Sequence, residues 1–238
     1  MNQFERTRIL IKDEGIKKLA GKHVFLAGLG GVGSYCAEAL ARGGIGKLTL
    51  LDHDVVALSN INRQLPALLS TVGKSKAELM HERIMDINPD CEVVIRREFL
   101  TAENVNEIVP GDADYVIDAI DSLNCKVALV AESVKRGLKV ASSMGAGNKI
   151  DPSRIRLGDI SETSICPLAS QMRKRLRKRG IEKGVLTVYT DEPPKPPLPP
   201  EPVSGHGRPR AVNGTVSYMP PIFGFMLAGA VIKSFLEE

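Results

Sequence analysis

Residues 24–40 read VFLAGLGGVGSYCAEAL, and their reading decides the fold. Four apolar residues run into Gly28, and Gly28, Gly30 and Gly33 then stand in GxGxxG spacing ahead of a segment with helical character. Strand, glycine turn and helix start, in that order, open a nucleotide-binding βαβ unit. The first glycine permits the tight turn, the second lets a phosphate approach the backbone, and the third lets the helix pack on the strand, while the helix N-terminus offers free N–H groups to an anion. Gly31 lies inside the same turn. Asp52 ends the next apolar run, 19 residues after Gly33, where a carboxylate can accept hydrogen bonds from ribose hydroxyls. The glycine loop alone does not say which nucleotide is bound.

Outward from this stretch, apolar or β-branched runs at 23–28, 47–52, 91–96, 114–119 and 138–143 alternate with helical patterns at 33–43, 74–88, 102–109 and 123–136. That alternation predicts an α/β fold with a Rossmann-like, doubly wound, mostly parallel sheet. After Gly147 the pattern changes to a C-terminal elaboration: a strand at 154–158, a basic helix at 167–179, a strand at 185–190, a proline tract and a closing helix from about 221 to 238. Seven of the ten residues in 193–202 are proline, which forbids helix or central strand and favours a stiff, extended surface loop or spacer. The expected organisation is one domain over 1–238, with a nucleotide-binding core in 1–150 and a substrate-binding elaboration in 151–238.

Composition narrows the class. A chain of 238 residues with 43% hydrophobic content can bury a full core. The first twenty-two residues mix both charge signs and lack a secretory apolar stretch. The apolar run at 222–232 is shorter than the roughly 20 residues of a spanning helix and predicts a buried helix, with no transmembrane segment. Cys36, Cys91, Cys125 and Cys166 form no CxxC pair, so neither zinc nor a disulfide framework is expected, and a reducing cytoplasm fits. The net charge of +4 is uneven, because six of the seven residues in RKRLRKR, 173–179, are cations. A local basic face points to an anionic partner.

A triphosphate asks for more cations than a dinucleotide does. SNINRQ at 59–64 and GKSKAE at 73–78 supply them: Arg63 and Lys76 for the β and γ phosphates, Asn60 and Gln64 for the oxygens between, with Lys74 nearby. Asp121, in VIDAIDS, is a hard oxygen ligand suited to magnesium. Asp118 in the same run is the second choice, and either aspartate could instead cap the following helix.

GxGGVG, LxDxDxVxxSNxNRQ, TVGKSKAE and DAID, in this order, resemble the adenylation domain of the ubiquitin-activating-like superfamily, which includes adenylyltransferases of thiamine and molybdopterin sulfur-carrier proteins. The resemblance covers residue 6 to about 150. It implies that Asp52 holds the ATP ribose, with Asp54 in the same motif, that Arg63 and Lys76 hold phosphates, that Asp121 binds magnesium, and that Arg6 enters the neighbouring subunit's site of a homodimer. The sulfur-carrier enzymes usually carry two CxxC zinc pairs; this chain has none. Residues 144–181, VYTDEPP and FGFMLAGAVIKSF resemble instead the tRNA threonylcarbamoyladenosine dehydratases, extending the likeness to nearly the whole chain.

That resemblance implies ATP-dependent adenylation of the carboxylate of threonylcarbamoyladenosine beside the anticodon, then closure by its own carbamoyl oxygen to an oxazolone with release of AMP. A sulfur-transfer partner is left open, and DNA is not expected as a partner. Cyclisation within the substrate gains from proximity and needs no enzyme nucleophile, so Cys166, placed in a mobile polar loop, is read as packing. Leu168, Met172 and Leu176 make an apolar stripe, leaving Arg173, Lys174, Arg175, Arg177, Lys178 and Arg179 as a surface for tRNA phosphates. His206 is read as part of a flexible loop. The rivals are adenylation of a carrier's C-terminal glycine, an NAD(P)-dependent oxidoreductase, which shares only the glycine loop, and a non-catalytic nucleotide scaffold.

Overall fold

The structure, a computed structural model, describes residues 3–201 and 210–238; His206 lies outside them. A seven-stranded sheet takes the order β3-β2-β1-β4-β5-β7-β6. Its strands are β1 His23–Ala27, β2 Lys47–Leu51, β3 Glu92–Arg96, β4 Tyr115–Asp118, β5 Lys139–Ser143, β6 Ile155–Asp159 and β7 Leu186–Thr190. All neighbours pair parallel except β6, which runs antiparallel to β7 at the edge. The doubly wound α/β expectation therefore holds, and so does the change of pattern after Gly147.

Strand β1 shows why its sequence is apolar throughout. All five residues are buried, because a central parallel strand is covered on both faces. Val24 and Leu26 enter one core with α2 Gly33–Gly43, α3 Lys76–Ile87 and α7 Met219–Glu237, whereas Phe25 and Ala27 enter the other with α5 Leu123–Lys135 and α6 Pro167–Arg177. The two-residue period of a strand sorts its side chains between the layers.

Several boundaries differ from expectation for local reasons. The helix expected over 102–109 shrinks to α4 Val105–Ile108, because Asn104 is spent on the turn before it, accepting from Thr101 N at 2.7 Å and donating to Phe99 O at 2.9 Å. The basic helix stops at Arg177, closed by Gly180 at φ 76° with Ile181 N donating to Leu176 O at 3.0 Å. The proline tract is not a plain loop: Leu198–Glu201 is β8, paired antiparallel with β9 Arg210–Val212 in a two-stranded ribbon. Neither strand is central, so prolines without an N–H are tolerated there. A helix that the sequence pattern did not predict, α1 Glu5–Ala20, buries only Gly15 and Leu19 and so leaves a weak periodic signal.

Helix α7 has the length and apolarity of a membrane span, yet Phe223, Leu227, Ala228, Val231 and Phe235 are fully buried in the core. It approaches α2 so closely that a Cβ on Gly224 would sit 2.3 Å from Val32 O. Only glycine fits that crossing.

Candidate active site

Strand order reverses at β1, which pairs with β2 on one side and β4 on the other. The carboxyl ends of those strands therefore open a crevice, the usual ligand position of such sheets. A cleft of about 650 Å³ lies there, lined by Gly28, Gly30, Gly31, Asp52, Asp54, Asn60, Arg63, Gln64, Lys76 and Asp121. Of the nucleotide-site residues expected from the sequence, these come to one place, whereas Gly33 and the exposed Lys74 do not line the cleft. That glycine does not line the cleft but shapes it: a Cβ there would fall 1.7 Å from Gly28 O. Gly28 itself takes φ 92°, with Ala119 O only 2.7 Å from the position of a Cβ.

Asp52 is 8% exposed. Its carboxylate accepts from Leu29 N at 2.6 Å and from Asp54 N at 2.8 Å, joining the glycine loop to the end of β2. Burial pushes its carboxyl above the usual range, opposed by the nearby Lys76 charge and by the two backbone donors. Lys76, 4% exposed, reaches Asp54 Oδ2 at 2.9 Å. It begins α3, whose N-cap is Ser75, accepting from Glu78 N at 3.4 Å. The lysine is therefore a buried, oriented cation rather than a solvated helix-face residue.

In the SNINRQ segment, Asn60 builds the loop. Its Oδ1 accepts from Ala57 N at 3.1 Å and its carbonyl accepts from Arg63 N and Gln64 N. Arg63 donates to Ser59 O at 2.9 Å and Asn62 Oδ1 at 2.8 Å and has no carboxylate partner among the described residues. Its charge is free for an anion. Gln64 is buried, its Nε2 3.6 Å from the position of a Gly30 Cβ, and its Oε1 has no hydrogen-bond partner among the described residues, an unmet acceptor where such groups are normally satisfied.

The two aspartates at and just after the end of β4 differ sharply. Asp118 is fully buried and paired with Lys126, Nζ to Oδ2 at 2.8 Å, so it cannot be the second-choice metal ligand. Asp121 is exposed on the cleft and makes no hydrogen bond or ion pair among the described residues. The cap of α5 is Ser122, not Asp121. An unengaged carboxylate in the cleft that Arg63 and Lys76 also line fits a magnesium ion that keeps most of its waters.

Other expectations fared differently. Arg6 is exposed on α1 and does not line the cleft of its own chain. Cys166, read from the sequence as packing, is packed: it is 1% exposed and lies in the core beside α6 rather than in a polar loop, its Sγ 3.7 Å from where a Gly145 Cβ would lie. On α6 the buried stripe is Ala169, Met172 and Leu176, with Leu168 half-buried at the cleft. Arg173 and Arg175 are not free surface cations: Arg173 donates to Thr163 O at 2.7 Å, and Arg175 is bonded to Asn124 Oδ1. Lys174, Arg177, Lys178 and Arg179 remain exposed.

The cleft also contains residues that the sequence pattern did not single out: Ser143 to Gly147, Phe99, Asn213 and Thr215. The 143–147 loop follows the carboxyl end of β5, where strand position alone was a usable signal. Asn213 and Thr215 arrive through long-range bonds, with Asn148 Nδ2 donating to Asn213 Oδ1 at 2.8 Å and Asn62 Nδ2 to Thr215 O at 2.9 Å. No local pattern announces them.

The profile of the ThiF family matches residues 4–238. A tRNA threonylcarbamoyladenosine dehydratase of Bacillus subtilis (strain 168) is 41% identical over 244 residues, spanning 100% of this chain and 96% of that protein. The crystal structure of E. coli tRNA N6-threonylcarbamoyladenosine dehydratase, TcdA, in complex with ATP superposes with a TM-score of 0.88 at 36% identity, covering 99% of this chain and 94% of that one. The sulfur carrier protein ThiS adenylyltransferase of Escherichia coli (strain K12) is 32% identical over 148 residues, 60% of this chain and 59% of that protein.

Proposed function

The chain belongs to the ThiF family, and from that premise we propose that it is an ATP-dependent tRNA threonylcarbamoyladenosine dehydratase. The observation that carries this reading is the convergence of Asp52, Arg63, Gln64, Lys76 and Asp121 in one cleft of a chain similar over its whole length to named dehydratases.

The chemistry follows from the donor set. Asp52 accepts the ribose hydroxyls, the glycine loop takes phosphate against its backbone, and Arg63 and Lys76 hold the β and γ phosphates. Asp121 would hold a magnesium ion, whose contribution when bound is to neutralise phosphate charge as a Lewis acid. The carboxylate of threonylcarbamoyladenosine attacks the α-phosphorus, pyrophosphate leaves toward Arg63 and Lys76, and an acyl adenylate forms. The carbamoyl oxygen of the same nucleoside then attacks the activated carbonyl, expelling AMP and closing the oxazolone. The second step is unimolecular, so positioning suffices and no protein nucleophile is required.

The exposed cations Lys174, Arg177, Lys178 and Arg179 take tRNA phosphates, and Arg6 completes the site of a partner subunit in a homodimer. Arg6 stands outside the cleft of its own chain, which supports a role in trans. Mixing Arg6→Ala with Lys76→Ala, each inactive alone, restores activity if half of the mixed dimer's sites are intact; no recovery removes the trans role. Four free cysteines support a reducing cytoplasm.

Mass spectrometry of nucleosides from tRNA incubated with the protein and ATP tests the whole reading. Loss of one water from threonylcarbamoyladenosine is expected, without any sulfur carrier. Adenylate formation only on a carrier's C-terminal glycine would favour the sulfur-carrier activity that the shared core also allows.

A further inference from the structure

The reaction leaves one charged pair unused. Asp118, at the end of β4, and Lys126, on the first turns of α5, are both 0% exposed, with Nζ 2.8 Å from Oδ2. A buried ion pair is a poor source of stability, since apolar residues of similar size do as well or better. The bonds this pair makes to its surroundings point elsewhere. Lys126 Nζ donates to Ile120 O at 3.0 Å, and Ile120 N donates to Asp118 Oδ1 at 3.2 Å. Both polar backbone groups of Ile120 are therefore held by the pair, one by each partner. Ser142, on the neighbouring β5, donates its hydroxyl to Asp118 Oδ2 at 2.5 Å, tying the carboxylate to the sheet.

The turn so fixed, Ala119 to Asp121, has two faces that matter. Ala119 O lies 2.7 Å and Ile120 N 3.1 Å from the position of a Gly28 Cβ, so the turn backs the glycine loop. Asp121, the next residue, carries the unengaged carboxylate of the cleft. We propose that Asp118 and Lys126, steadied by Ser142, are positioning residues: they lock the Ala119–Asp121 turn so that Asp121 is presented to a divalent cation without reorganising when ATP arrives. This rests on the reading of Asp121 as the metal ligand.

The test uses full-length protein, ATP and magnesium chloride, with calorimetry of ATP binding in the presence and absence of the metal. Asp118→Leu/Lys126→Met removes both charges together and fills their volume, so no unpaired charge is left buried. The double variant is expected to unfold cooperatively and to bind magnesium-free ATP within about twofold of wild type, but to lose at least roughly nine-tenths of the tightening that magnesium brings. Wild-type magnesium dependence in the folded double variant overturns the proposal. Should that variant not fold, Ser142→Ala decides: it is expected to shift the magnesium midpoint about threefold and to speed amide exchange at Ile120–Ser122, and an unchanged midpoint overturns the proposal. Asp121→Asn separates the two levels. If it keeps full magnesium dependence, the metal assignment falls and the positioning role falls with it. If it loses that dependence while the pair variants keep it, only the positioning role falls.

Discussion

Asp52 illustrates how a single side chain can be tuned against the stability of the fold. Its folded pKa is raised, chiefly by burial, so its contribution to stability is present below the unfolded value and is lost as pH rises through the folded one. At neutral pH the ionised carboxylate is held at a cost, but Asp52→Asn turns an amide NH2 on Leu29 N or Asp54 N, each of which donates to a carboxylate oxygen. The variant is therefore expected to melt below wild type at pH 7, by the cost of one unmet buried donor, about 1–3 kcal/mol. The same variant should bind ATP more weakly, because the amide replaces one of the acceptor oxygens offered to the ribose. ATP affinity of the wild type should fall as pH drops through the raised value, above the roughly 3.9 of an ordinary aspartate; Asp52→Asn should lack that limb. Calorimetry across pH and thermal melts read both effects.

In the proposed reaction Arg63 and Lys76 would bond phosphate oxygens, charge-assisted contacts worth about 1.5–3 kcal/mol each. Either alanine variant should weaken ATP binding by roughly ten- to a hundredfold while leaving adenosine binding nearly unchanged. Equal weakening for ATP and adenosine would show a collapsed loop rather than a missing phosphate partner.

At the level of elements, α6 divides its cations by what they touch. Arg173 and Arg175 tie the helix to Thr163 and Asn124, whereas Lys174 and Arg177, with Lys178 just past the helix end, are exposed. Substituting those three by glutamate should weaken tRNA binding and lower the salt slope by about 0.7–1 for each phosphate that is no longer neutralised, with little change in melting temperature. Arg173→Ala should do the reverse, lowering the melting temperature while the salt slope stays near wild type. Filter-binding titrations over a range of salt, alongside melts, distinguish the two classes. The basic run was legible in the sequence, but the division within it was not, because Thr163 and Asn124 meet α6 only through the fold.

Across the molecule, the cleft depends on a helix far from it in sequence. Gly224 of α7 meets Val32 O and Cys36 N, at 2.3 Å and 3.0 Å from the position of its Cβ, and Pro220 of the same helix crowds Gly31, its Cβ 2.9 Å from that of a Gly31 side chain. Gly224→Val should push α7 off the start of α2, costing about 1–3 kcal/mol as overpacking and reducing ATP affinity through the displaced glycine loop. Urea unfolding with a parallel ATP titration tests the coupling; reduced stability with unchanged ATP binding would show that α7 supports the core only. Lys139 on the Glu238 carboxylate, with Lys22 Nζ at 2.8 Å on the same group, anchors the far end of that helix to the sheet and holds the Glu238 carboxyl down to about 2.

Glycine spacing, strand alternation and the order of Asp52, Arg63, Lys76 and Asp121 were enough, from the amino-acid sequence alone, to specify a doubly wound sheet and to name residues that its switch-point cleft brings together. Those signals are local or periodic: a turn that needs glycine, and a strand that buries both faces, write themselves into neighbouring residues. Tertiary structure alone decided that Asp118 is a buried partner of Lys126 and that Arg173 and Arg175 are bonded rather than free. It also brought Asn213 and Thr215 to the cleft. Burial, desolvation and ion pairing depend on which distant segments meet, and no window of sequence contains both partners.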